Sequence, residues 1–311
     1  MLLSTSSVAF AQTPAAEVTP VAADAQQRKE SYVPHPVEAI PPGPIRFAVD
    51  PVGDGAMLGI AGAFDLLSAA ILSTGEVRPQ QIDPTFNTNQ LLFLDRGAVS
   101  QQPDPHAATL SNIGLYSAIG FAVLDPILSG FRDGKAAALN DAVMYLEAIA
   151  FANGITDIAK VAVRRPRPTA YIERNRFIAQ GGNPALYDDT TTDNALSFFS
   201  GHSSTIGAIS GVATYLAFAR SPHTARPWIT LLAGIALTSF VSVERVRAAA
   251  HFPTDVIAGS LVGAATGVLV VHLHRADTLQ QRPIWVGFQP MSQSEIPGRP
   301  VGGLLTLSGA F

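Results

Sequence analysis

The sequence predicts an all-α domain, a six-helix bundle, followed at its C-terminal end by a small β-like hairpin. Two observations carry this reading. Of the 311 residues 47% are apolar and only 14% charged, with a mean hydropathy of +0.25, and the apolar residues gather into six long runs. Each run ends at a proline, a glycine or a charged turn, which are the ordinary helix stops. From residue 284 the pattern changes to two short strand-like pieces, IWVGFQP and GGLLTLSGAF, separated by a Gly/Pro-rich turn. Composition also excludes several classes of function. There is no cysteine, hence no disulfide and no thiolate metal site. A net charge of −4 leaves no footprint for nucleic acid as a partner.

The chain opens with MLLSTSSVAFAQ, in which Ala9-Phe10-Ala11 reads as an A-x-A cleavage site. Residues 1–11 are therefore expected to be a signal peptide, truncated because the basic n-region is missing. Residues 12–45, rich in Ala, Pro, Gln and Glu and holding PHP and IPPGP, read as a disordered tether. The domain is expected over 46–275. Its first helix covers about 56–74 and is interrupted by Asp65; a polar, turn-rich stretch follows over 78–106. The second helix, about 108–129, carries Asp125 and Pro126 near its end, before the charged turn Arg132 to Lys135. A third runs over about 137–163 until RRPRP halts it, since proline cannot continue a helix interior. Residues 169–197 form a long polar connection, and a loop of that length is usually functional or a lid. Helices four, five and six follow over about 202–219, 227–247 and 254–273. The tail, 276–311, is expected to fold as a hairpin against the helices.

Three blocks at helix ends carry candidate chemistry. In ERVRAAAHFPTD, Arg245 precedes His251 by six positions and Asp255 follows it by four. A carboxylate in reach of one ring nitrogen fixes the tautomer of a histidine and frees the other nitrogen as base or nucleophile. A guanidinium nearby offers a planar fork for a phosphate-like anion. In SFFSGHSS, Ser200 is a natural N-cap, and the free N–H groups of Gly201 and His202 make an anion cradle. In KVAVRRPRP, Lys160 and Arg167 are seven apart, about two helical turns, so both can face one side. Alone, each block has a plain structural reading: a surface histidine, a capping serine, a basic helix end favoured by the dipole.

Together, K-x6-R-P, then S-G-H, then R-x5-H-x3-D, the chain resembles the type 2 phosphatidic-acid phosphatase (PAP2) superfamily. That superfamily includes bacterial class A acid phosphatases and vanadium haloperoxidases, and the resemblance covers roughly residues 137–273. It implies a PAP2-like helical bundle with the active site where helix ends meet. It implies further that His251 attacks phosphorus to give a phosphohistidine, while Asp255 holds its other nitrogen. His202 would protonate the leaving alkoxide and later activate water. Lys160, Arg167 and Arg245, with Ser200 and Gly201, would grip the phosphoryl oxygens, and three cations would take the place of a metal. No cofactor is implied, although vanadate could inhibit. Two positions depart from the family pattern: Phe199 stands where proline is usual and Glu244 where serine is usual. His35, His106, His223, His272 and His274 are expected to be non-catalytic, and Arg164 and Arg165 to be solvated charges.

The expected function is a metal-independent phosphatase of small soluble or lipid phosphomonoesters. The alternatives are a vanadate-dependent haloperoxidase and a catalytically silent envelope protein that binds anions, the last kept alive by Glu244. On compartment two lines conflict. The apolar runs approach bilayer-spanning length, and the basic turns fall where cytoplasmic loops would lie. Against this, Asp65, Asp125, Asp141 and Glu147 sit inside the runs, and charge in lipid is expensive. A cleaved leader would also leave the active site cytoplasmic after three spans. The expectation is a soluble periplasmic domain, with an integral inner-membrane protein bearing a periplasmic site as the alternative.

Overall fold

The computed structural model describes residues 45–277 and, beyond them, the two strands Ile284–Pro290 and Gly303–Gly309. The expected signal peptide and all of the tether but its last residue lie outside the described residues. Seven α-helices are present among these: α1 Gly53–Ser73, α2 Ala107–Asp133, α3 Lys135–Val163, α4 Pro168–Ala179, α5 Gly201–Arg220, α6 Arg226–Arg247 and α7 Pro253–Leu273. Six match the apolar runs. The seventh, α4, corrects the expectation of a long lid loop over 169–197. Pro168 occupies its first turn, where a missing N–H costs nothing. Tyr171 packs its ring on Phe86 and Phe252 (centroids 4.9 and 5.9 Å), and Arg174 donates to the carbonyls of Asp83 and Pro84. Packing rather than hydropathy makes this helix.

The helix stops have local causes. Gly134 divides α2 from α3 at φ +94°, a conformation that only glycine adopts without strain. Arg164 ends α3 in the left-handed region, its N–H bonded back to the Lys160 carbonyl, and the prolines at 166 and 168 prevent continuation.

The core gathers on α5, whose Ile206, Ile209, Val212 and Leu216 are buried among Met144, Tyr145 and Ala148 of α3, Val241 of α6 and Val271 of α7. α5 and α7 approach at backbone distance because glycines line the contact at four-residue spacing, Gly207 and Gly211 on one helix and Gly259, Gly263 and Gly267 on the other. A Cβ at Gly263 would collide with the Ser204 carbonyl, and one at Gly259 would lie 2.5 Å from the Ser200 carbonyl. This small-residue stripe sets the N-termini of α5 and α7 side by side.

Of the four acidic residues that weighed against a bilayer, Asp125, Asp141 and Glu147 are buried in the bundle and Asp65 is half-buried. Asp141 is 0% exposed and is gripped by both terminal nitrogens of Arg220, one at 2.6 Å. Asp125 accepts from the Tyr145 hydroxyl (3.0 Å) with Arg226 at 3.6 Å. Glu147 is buried beside His274. The outer faces are apolar instead: Leu66 of α1 is 75% exposed, Val123 of α2 60%, Leu232 of α6 64% and Leu261 of α7 67%. Five helical stretches are long and apolar enough to cross a membrane: Gly53–Ser73, Ala107–Asp133, Lys135–Ala179, Arg226–Arg247 and Pro253–Leu273. These stretches support the integral-membrane alternative, and the expected soluble periplasmic domain finds no support.

Beyond the helices, Ile284–Pro290 and Gly303–Gly309 pair antiparallel, with Ile284 opposite Gly309 and Pro290 opposite Gly303. The chain before α1 is tied to the chain after α7 by a bridge between Phe47 and Arg275.

Gly263→Val is expected to overpack the α5–α7 contact and lower stability by about 1–3 kcal/mol or more. Gly62→Ala, where nothing lies within 4 Å of the added carbon, serves as the comparison and should leave the thermal unfolding midpoint in detergent unchanged or slightly raised.

Candidate active site

Successive long helices run in opposite directions, so one end of the bundle collects the C-termini of α3 and α6 and the N-termini of α5 and α7. All eight residues singled out from the sequence lie at this end. Lys160 comes from the last turn of α3, Arg167 from the N-cap of α4, and Ser200, Gly201 and His202 from the start of α5. Arg245 comes from the last turn of α6; His251 and Asp255 flank the first residues of α7.

His251 is 2% exposed, and its Nδ1–H donates to the backbone carbonyl of Ser197 at 2.7 Å. This corrects the expected pairing with Asp255, whose Oδ2 lies 4.0 Å from that nitrogen. The Asp255 carboxylate is engaged elsewhere. It accepts from the Ser197 hydroxyl, from Arg165 and from the Phe252 backbone N–H (2.9 Å). Asp255 therefore acts on the imidazole through Ser197: it fixes the serine side chain, and the serine carbonyl fixes the ring. The consequence for His251 is the one the sequence required, a committed tautomer with Nε2 left free.

Behind Asp255 stands a network the sequence reading missed. Arg165 bridges Asp255 and Asp95 (Nη2 to Oδ2 2.7 Å) and stacks over the Phe252 ring at 4.0 Å. Asp95 is fully buried and also accepts from the Thr254 N–H (3.0 Å) and hydroxyl (2.7 Å). Arg165 is thus a half-buried tie between α7 and the 3₁₀ segment Phe93–Val99, where a solvated charge was expected. The only hint of Asp95 in the sequence was the apolar patch LLFLD within a polar stretch.

In front of His251 lie the cations. The Lys160 ammonium sits 3.5 Å from where a Cβ on Gly201 would be, so glycine there permits the close approach. Arg167 pairs through Nη1 with Asp193 (2.8 Å). The Nε atoms of Arg167 and Arg245 are buried without a hydrogen-bond partner among the described residues. A buried donor left unpaired is costly, and these two N–H groups are available to an anion. His202 reaches Asn112 Oδ1 of α2 through Nε2 at 2.8 Å, a partner the sequence did not indicate. Ser200 caps α5, accepting from the Ser203 N–H. Burial, then the positive charges of Arg167, Arg245 and Lys160, push the pKa of His251 well below the ordinary histidine value, against the opposing Ser197 hydrogen bond.

The two departures from the family pattern are also placed. Phe199 is buried against Phe198 (5.7 Å, edge to face). Glu244 is buried and bound to Arg247 (2.8 Å), which also holds Asp104. Arg247 engages its Oε1, while Oε2 is buried without a hydrogen-bond partner among the described residues.

Residues 141–279 match the family model of the PAP2 superfamily. A comparison with curated protein sequences gave no match. Among solved structures the chain is similar to the first transmembrane PAP2 type phosphatidylglycerolphosphate phosphatase from Bacillus subtilis. The two share 17% identity and a TM-score of 0.39, over 71% of this chain and 94% of that one.

Arg165→Ala strands two buried carboxylates, and a loss of about 3–5 kcal/mol is expected from breaking such a pair. Arg164→Ala, at an exposed neighbour, should change stability by no more than about 0.5 kcal/mol. Chemical denaturation of both variants checks the contrast.

Proposed function

Over residues 141–279 the chain belongs to the PAP2 superfamily, whose phosphatase members hydrolyse phosphoesters, and on that premise we propose a metal-independent phosphomonoesterase that acts on lipid phosphates through a phosphohistidine. The observation that carries this reading is the pair of buried, unpaired Nε donors of Arg167 and Arg245 beside a tautomer-locked His251. Phosphoryl transfer demands positioning and charge neutralisation above all. Lys160, Arg167, Arg245, the Ser200 hydroxyl and the Gly201 amide bind the phosphoryl oxygens. His251 Nε2 forms a bond to phosphorus as the ester P–O bond breaks, and His202 gives the departing alkoxide its proton. His202 then takes a proton from water, whose oxygen displaces the imidazole and releases inorganic phosphate.

The choice of lipid phosphates over small soluble esters rests on the apolar outer faces and the five span-length helices. The basic turns at Arg132, Arg220 and Arg226 lie at the bundle end remote from the site, as positive-inside loops of an inner-membrane protein would. The site then faces the periplasm. The segment before α1 enters at the same remote end, since Phe47 bridges Arg275.

The deciding experiment is a turnover assay of the purified protein on p-nitrophenyl phosphate and dispersed lipid phosphates. Release of phosphate that persists in EDTA and is inhibited by orthovanadate supports the reading. Halide oxidation with added vanadate would replace it by the haloperoxidase, and phosphate binding without turnover would leave an anion-binding protein. His251→Ala should abolish turnover. His202→Ala should cost roughly 10²–10⁴-fold with alkyl phosphates and much less with p-nitrophenyl phosphate, whose leaving group needs no proton; equal losses would sink the acid role.

The pH profile tests the state of His251. Its pKa is lowered, so the nucleophilic neutral ring persists as pH falls past the ordinary histidine value. The acid limb of kcat/KM should lie below pH ~6.5, and Lys160→Met should move it upward, one opposing charge being gone.

Orientation is checked by single cysteines, the native chain having none. A membrane-impermeant maleimide should label Glu76→Cys, in the connection at the active-site end, and spare His223→Cys in intact spheroplasts.

A further inference from the structure

A second cluster of titratable side chains lies toward the bundle end remote from the active site. Asp54 in the first turn of α1, Glu147 in α3 and His274 just past α7 are all buried, at 5%, 1% and 3% exposure. His274 Nε2 faces Asp54 Oδ2 at 3.3 Å and Glu147 Oε2 at 3.4 Å. One ligand atom from each residue lies within 4.8 Å of the other two. From this convergence we propose that Asp54, Glu147 and His274 form a binding site for a divalent transition-metal cation, zinc or manganese, that staples α1 to the bundle.

Three features of the site point to a cation beyond the clustering of the groups. His274 Nε2, although buried, makes no hydrogen bond; it is aimed between the two carboxylates. The other ring nitrogen donates to the Val270 carbonyl at 2.8 Å, so a neutral ring would direct its Nε2 lone pair into the cluster. Asp54 Oδ2 is itself oriented by the Asp50 backbone N–H at 2.7 Å. Ligating histidines and carboxylates are characteristically held by such outer hydrogen bonds. An imidazole with two carboxylates suits zinc or manganese better than calcium or magnesium, which take oxygen alone. Three protein ligands fill three of the four tetrahedral positions of zinc.

The mechanical consequence follows from where α1 sits. It packs on α3 with most of its surface outward, and only Asp54, Ala61 and Ser68 of its residues are buried. The cluster joins its first turn to α3 and to the end of α7, beneath the bridge between Phe47 and Arg275. The cation would thus act on stability and not on chemistry at the other end of the bundle.

The test uses the full-length, tag-free protein in detergent, with metal content by mass spectrometry and thermal unfolding. Roughly one equivalent of zinc or manganese per chain is expected. Stripping it should lower the unfolding midpoint, and zinc or manganese, but not magnesium or calcium, should restore it. Glu147→Gln and His274→Gln should each lose both the equivalent and the restoration, whereas His251→Ala should keep them. A wild-type protein that retains no metal and whose midpoint ignores added zinc and manganese would overturn the proposal, whatever the variants do. So would an equivalent lost in His251→Ala and kept in Glu147→Gln, which places the metal in the active site. The readout is stability, so failure of the phosphatase reading leaves it untouched.

Discussion

The active site depends first on how closely two helix backbones can approach. Where α5 and α7 cross, the glycines at 207, 211, 259, 263 and 267 leave carbonyl oxygens of one helix against the bare Cα atoms of the other. The Ser200 N–H donates to the Asp255 carbonyl at 3.1 Å, tying the two N-termini together. Two helix N-termini side by side add the positive ends of two dipoles to whatever side chains gather there. The structure then adds Lys160, Arg167 and Arg245. The site is electropositive before any ligand arrives, and burial first, then that charge, lowers the pKa of the histidine within it.

Such a concentration of charge is tolerable because the bundle sorts polarity from inside to outside in a way that a soluble domain does not. Acids on α2 and α3 find Arg220, Arg226 and Tyr145 within the bundle, while leucines and isoleucines occupy the outer faces. Asp125 and Asp141 each have a cation or hydroxyl donor supplied by a neighbouring helix, so burial costs them less than lipid would. These two charges, which seemed to argue against spanning, fasten helices to one another.

This is also where the sequence misleads. Asp125 and Asp141 are legible as charges in apolar runs, but the face they occupy is decided by helix packing, which no single run reveals. The six long helices were legible because their hydropathy is strong. α4 was not, since its stability comes from Tyr171 against Phe252 and from Arg174 on two carbonyls 90 and 91 residues away in the chain. The site showed the same division. Its cations and histidines sit at helix ends in recognisable spacing. Asp95, Asn112 and Ser197 contribute through contacts with residues 159, 90 and 54 positions away, and carry no local signature. Ser197 is the clearest case, because what orients His251 is its backbone carbonyl, an atom every residue possesses.

That carbonyl changes how the carboxylate behind the histidine is to be understood. The buried Asp95 and Asp255 with the half-buried Arg165 form a group of two negative charges and one positive, a net −1 behind the imidazole. Three cations stand in front of it. In the proposed reaction, positive charge would spread through the ring toward Nδ1 as Nε2 bonds to phosphorus, where the Ser197 carbonyl accepts and the net −1 lies beyond. The ring is thus polarised along the line of attack by a field fixed in the fold, which requires no reorganisation as charge develops. A direct Asp255–His251 hydrogen bond would supply the orientation but would draw the carboxylate away from Arg165 and Ser197. Inserting the serine lets one aspartate fix the ring, hold the 197–202 turn and secure the start of α7 together.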